Sequence, residues 1–200
     1  VALREYYGMI EPERLSGDGA AAGAPHRNLR GQNLLLARRL VESGVRFVNI
    51  HDFRQQGQNW DSHGQNFHQH KRYLLPQAEQ ALAALIEDLE DRGLLDSTLV
   101  VALGEFGRTP KINANAGRDH WPDCYTVVLA GGGIKGGMSY VETDELGYNS
   151  VINPVPLHDL HATMLHLLGF DHKKVSVPFQ GLNQRLTGVA DARAVTELMS

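Results

Sequence analysis

The chain has 200 residues, of which 42% are hydrophobic and 21% charged, with a formal net charge of −4. That is enough chain for one domain with a real core, and it lacks the basic excess that general nucleic-acid binding needs. The single cysteine, Cys124, excludes an internal disulfide, and no apolar run approaches the roughly 18 residues of a membrane helix.

The opening "VALREYYG" reads as the end of a helix, without an initiating methionine or a signal peptide. The expectation is that residues 1–30 form an N-terminal segment and loop continuing from a preceding half, and that 31–200 form the C-terminal part of a domain. Residues 11–28, rich in Gly, Ala, Pro and charge, read as a loop or linker. Gln32 to Ser43 places Leu34, Leu35, Leu40 and Val41 on one face with Arg38 and Arg39 opposite, an amphipathic helix stopped at Gly44. "VRFVNI" (45–50) predicts a strand. The polar stretch 51–72 is too long for a plain connection, and such loops are usually functional or disordered. Gln77 to Arg92 is the clearest helix, with Ala78, Leu82, Leu85, Ile86 and Leu89 inward and Gly93 as its stop. "STLVVAL" (97–103) and "YTVVLA" (125–130) predict buried strands, and His158 to Leu168 a further helix ended by Gly169. The order α-β-α-β-β-α predicts an α/β fold with a mainly parallel sheet and helices on both faces. Strands 45–50, 97–103 and 125–130 should share that sheet, with a right-handed crossover between the first two.

Chemistry concentrates after the expected strands, where ligands bind in open α/β sheets. One loop holds "NWDSHGQN"; another holds "GEFGRTP" and "GRDHW". Asp61 and His63 are two apart, so an extended chain points both side chains the same way. With Glu105 and His120 they would supply the carboxylate and imidazole donors that a zinc-like ion takes. Solvated loop histidines are the competing reading. Arg108 and Arg118 suit bidentate anion binding, or else pair with Glu105 or Asp119 and tie the loop down. Trp60 and Trp121 adjoin candidate ligands and could wall the site. "GGGIKGG" matches G-x-G-x-x-G in form, but no helical period follows, so it reads as a turn rather than a dinucleotide or phosphate cradle. His158, His161 and His166 lie on a helix whose apolar face is core and read as solvent or capping residues. Cys124, entering a strand, reads as a buried inert thiol.

Taken together, "GQNLLLARRLVESGVRFVNI", "NWDSHGQN", "ALIEDLEDRGLLDSTLVVALGEFGRTPKIN", "GRDHWP", "VVLAGGGIKGG" and "HDLHATMLHLLGFD" resemble the bacterial domain of unknown function 1501 family, over residues 30–190. That family in turn resembles the alkaline phosphatase and sulfatase superfamily. The resemblance implies an α/β sandwich, two divalent metals (zinc, manganese or calcium) and a Ser, Thr or Cys-derived nucleophile. It places Asp61, His63 and His120 at the first metal, with the Asp–His pair two apart where the superfamily commonly has four. The second metal's Asp–His pair falls on Glu105–Phe106, and phenylalanine cannot ligate. Members are about twice this length and usually carry a twin-arginine signal. The resemblance therefore implies the C-terminal half of an exported, periplasmic protein whose nucleophile precedes Val1. The expected function is metal-dependent hydrolysis of phosphate or sulfate esters, with a small-molecule or glycan ester as substrate. The expected partner is its own N-terminal half or another chain. The alternative is a non-catalytic sulfatase-like domain that binds a metal, a glycan or a partner protein.

Overall fold

The structure is a computed structural model and describes residues 2–9, 29–52 and 60–200. The loop expected at 11–28 lies outside the described residues, as does 53–59 within the polar stretch. Three helices form the main core. They are α1 (Ala2–Tyr6), α2 (Leu29–Glu42) and α4 (Leu75–Asp91). A short α3 (Asn66–Gln69) runs through a π-helical turn, His70–Leu74, directly into α4. Pro76 accounts for that turn's position: it has no N–H to return to the preceding turn, so it is tolerated only in the first turn of α4. Tyr7, Met9, Leu35, Ala84, Leu85 and Leu89 pack together, and Leu94, Leu95 and Val100 extend the cluster to the start of the first strand. Gly31 lets α2 approach that close, since a Cβ there would lie 2.0 Å from the Tyr7 carbonyl oxygen.

The helix interface also buries charge. Arg38, which the amphipathic pattern assigns to the polar face, is only 4% exposed. Its Nε donates to Asp88 Oδ2 at 2.8 Å, where the Tyr7 hydroxyl also donates at 2.8 Å. Arg92 Nε donates to the other Asp88 oxygen at 2.7 Å. Glu42 accepts from both arginines and closes the network.

Among the described residues, the strands form four separate antiparallel pairs. β1 (Val100–Leu103) pairs with β4 (Val127–Ala130), and β2 (Gly107–Arg108) with β3 (His120–Trp121). β5 (Glu142–Thr143) pairs with β6 (Ser150–Ile152), and β7 (Ser176–Phe179) with β8 (Leu182–Arg185). Between β6 and β7, α5 (Leu157–Leu167) buries Leu160, Ala162 and Thr163, and Ala192 and Val195 of the C-terminal segment are buried as well. The Val195 amide donates to Thr163 Oγ1 at 2.9 Å and fixes the C-terminal segment on the helix.

This architecture overturns the expected α/β fold with a mainly parallel sheet, an alkaline phosphatase- or sulfatase-like sandwich with helices on both faces. Residues 45–50 form no strand, and Phe47 is exposed. Without strand 45–50 there is, among the described residues, no β-α-β crossover to have a hand. The remaining pair, β1 and β4, runs antiparallel because no helix lies between them to carry the chain back to the same end. That connection is instead occupied by the β2–β3 pair. α2 and α4 bury their apolar faces on one another rather than on a sheet.

Candidate metal centre

Two segments converge at the site. In the first, Trp60–Asn66, the side chains of Asp61 and His63 reach the same point, and Ser62 between them turns inward, 1% exposed. Asn66 Nδ2 donates to Ser62 Oγ at 2.6 Å, and His70 Nε2 lies 3.0 Å from that oxygen. The π-turn residue thus anchors the D-S-H segment from beneath. Burial, and secondarily the charge of Arg108, lower the pKa of His70 and favour its neutral form.

The second segment is the β2–β3 hairpin, in which Arg108 lies opposite His120. The Arg108 guanidinium donates to Asp61 Oδ1 at 2.8 Å and to the carbonyls of Trp60 and Arg118, each at 3.2 Å. The hairpin loop folds around Asn113, whose Oδ1 accepts from the amides of Asn115 and Gly117 at 2.9 Å each. The loop then docks on the first segment. Gln65 and Asn66 amides donate to the carbonyls of Asn115 and Ala116, and Asn113 Nδ2 donates to the His63 carbonyl. Gly117 sits at the tightest point, where a Cβ would be 2.0 Å from the His63 carbonyl oxygen.

The result is a triangle. His63 Nε2, His120 Nε2 and Asp61 Oδ1 each lie 3.0 Å from the other two. Hydrogen bonds from His120 and then Arg108 hold the Asp61 carboxyl far below its ordinary range, so it is ionised. Each Nε2 carries at most one proton, and protons on both would set N–H against N–H. No placement of ring protons therefore satisfies all three contacts, whereas three lone pairs aimed at one cation would. Ligands about 2.1 Å from an ion and at right angles to each other are about 3.0 Å apart, the spacing of a two-histidine, one-carboxylate facial set. All three side chains are partly exposed, which leaves the outer side of the triangle open.

Of the expected ligands, Asp61, His63 and His120 come together, and they are the metal-competent group found among the described residues. Glu105 is not part of it and is exposed at the bend before β2. Phe106, beside it, stacks on His120 with ring centroids 4.2 Å apart. Arg118 donates to the carbonyls of Thr109 and Pro110 at 2.7 Å each and lies over the Phe67 ring. Both arginines are thus engaged in holding the loop. Trp60 donates to Asp52, and Trp121 to the Tyr148 carbonyl. His158, His161 and His166 are exposed on α5, and the glycine run after β4 forms a turn with no helix following.

Asp119 was not singled out by spacing, yet its Oδ1 lies 3.0 Å from His63 Nδ1, on the side of the ring away from the triangle. Ser62, Asn66, His70 and Asn113 were missed as well. The available signal was the Asp–His dipeptide 119–120 beside an Asn-rich turn, since a carboxylate commonly orients a ligating imidazole.

Short antiparallel pairs and a helical core define a class: a small mixed helix-and-strand chain that brings one carboxylate and two imidazoles together. The chain belongs to the family described as Protein of unknown function (DUF1501), which matches residues 3–199. No curated protein and no solved structure matches it.

Proposed function

We propose that the chain carries a metal site of a hydrolase acting on phosphate or sulfate esters, with Asp61, His63 and His120 holding one divalent ion (zinc, manganese or calcium). The observation that carries this reading is the 3.0 Å triangle of an ionised carboxylate and two imidazole nitrogens, open on one side. A bound divalent ion supplies Lewis-acid polarisation of an ester oxygen and lowers the pKa of bound water. The protein's part is positional. Arg108 fixes Asp61 through the oxygen that faces the triangle. Ser62 and His70 hold the segment between the two ligands, and the docked hairpin loop sets His120 against His63. The proposed likeness to the alkaline phosphatase and sulfatase superfamily, a nucleophile preceding Val1, the C-terminal-half assignment and an exported location belong to the same reading. So does an anion-binding role for Arg108 and Arg118.

A second reading, a non-catalytic domain that binds a metal, a glycan or a partner, is favoured by Phe106. Its ring covers His120 where a second ion's nitrogen ligand is expected by resemblance. The test is the full-length natural protein with zinc, manganese or calcium against aryl phosphates, phosphodiesters and sulfates. The hydrolase reading predicts turnover that His63→Ala and His120→Ala each abolish. Turnover surviving both changes contradicts it, and no turnover with any ion gives the second reading the lead.

A further inference from the structure

We infer that Asp119 is a positioning residue that fixes His63 in one tautomer, with the proton on Nδ1 and the Nε2 lone pair aimed into the triangle. The inference deepens the proposed metal site and rests on it for its consequence, but it is carried by a separate set of contacts. An ionised carboxylate only accepts hydrogen bonds. Asp119 Oδ1 lies 3.0 Å from His63 Nδ1, so the ring's proton is stabilised on that nitrogen. The carboxylate is itself held in place. Asn113 Nδ2 donates to the same oxygen at 3.0 Å, and the Asp119 amide donates to Thr109 Oγ1 at 3.1 Å. Asn113 Nδ2 also donates to the His63 carbonyl, so one amide group grips the backbone of the ligand and its orienting carboxylate together. His63 is therefore fixed at two points, its carbonyl and its Nδ1. A neutral imidazole can ligate only through its unprotonated nitrogen. With the other tautomer, Nε2–H would point at Asp61 and His120 and close the triangle to a cation. Carboxylates placed behind metal-bound imidazoles typically contribute 10–100-fold in metal affinity.

The experiment has two readouts on the full chain. Long-range proton–nitrogen correlation spectra of the chelator-treated wild type, at mildly alkaline pH, report which His63 nitrogen carries the proton. The expected result is a protonated Nδ1 and a bare Nε2; a protonated Nε2 overturns the inference and needs no variant. Zinc affinity is then measured by chelator competition for wild type and Asp119→Asn. The amide side chain keeps the size but can offer an N–H to Nδ1, so affinity should fall 10–100-fold and the His63 tautomer should shift. Unchanged affinity with an unchanged tautomer overturns the inference while leaving the metal site standing. A wild type that binds no zinc, manganese or calcium contradicts the metal reading instead, and the spectra still decide the role of Asp119.

Discussion

Gly117 lies where no side chain fits. The nearest atoms to its missing Cβ are backbone atoms of His63 and Gly64, which cannot swing aside. Gly117→Ala should therefore push the hairpin loop off the D-S-H segment. The expected cost is about 1–3 kcal/mol, as for other overpacked sites, read as a lowered denaturant midpoint, with zinc affinity weakened in step. Ser62→Ala acts from the other side of the same segment. It leaves Asn66 Nδ2 without the buried oxygen it donates to, and about 1–3 kcal/mol should be lost on thermal unfolding. An unchanged midpoint in Gly117→Ala would mean that the two segments do not depend on each other, and an unchanged one in Ser62→Ala that the first segment does not need its buried hydroxyl. At this scale the sequence was partly legible. Asp61 and His63, two apart, share a target as an alternating chain predicts, and His120 joins them. The supporting shell was not legible, because Ser62, Asn66, His70, Asn113 and Asp119 act through contacts set by how two distant segments dock. Glu105 shows the converse: a ligand type at the expected strand end does not reach the triangle when a short hairpin follows.

The helices were readable because each carries its own period and its own stop: Leu29–Glu42, Leu75–Asp91 and Leu157–Leu167 fall within a few residues of the expected spans. The strands were not. Val100–Leu103 and Val127–Ala130 are apolar runs that fit either kind of sheet, and what decides between them is the connection rather than the run. "VRFVNI" has the residues of a strand but no neighbouring strand to pair with among the described residues. Arg38 misleads for a related reason, since a residue on the polar side of one helix becomes interior when the next helix brings Asp88 to meet it. That pair makes the sharpest prediction for the helical unit. Asp88→Ala removes the acceptor shared by Tyr7, Arg38 and Arg92 and strands the Arg38 guanidinium in the interior, for an expected loss of about 3–5 kcal/mol. Leu89→Ala, at 1% exposure in the same interface, should cost about 2–5 kcal/mol. An Asp88→Ala effect below that of an exposed-site control such as Glu79→Ala would show that the network adds nothing to the fold.

For the whole molecule, the direction of the shifted groups fixes how stability responds to acid. Burial and then Arg108 lower the His70 pKa from 6.5, so the unfolded chain takes up that proton first. The stabilisation is complete above 6.5 and declines as the pH falls below it. Asp61 and Asp88 are also lowered, from 3.8. In Asp61 the bonds from His120 and Arg108 dominate, and in Asp88 burial raises the pKa but bonds from Arg92 and Tyr7 and the charge of Arg38 outweigh it. Their stabilisation is present above 3.8 and is lost below it. Melting temperature in the presence of chelator should therefore fall in two windows, one beginning near 6.5 and one below 3.8, and His70→Gln should flatten the first alone. A single transition below 3.8 in the wild type would contradict the placement of His70.

The proposed cation site consists of Asp61, His63 and His120, which the docked hairpin brings together. Metal content per chain, measured by mass spectrometry after equilibration with zinc and removal of free ion, tests it most directly. One equivalent is expected in the wild type and none in His63→Ala or His120→Ala. A wild type that retains no ion, or variants that retain a full equivalent, would contradict it.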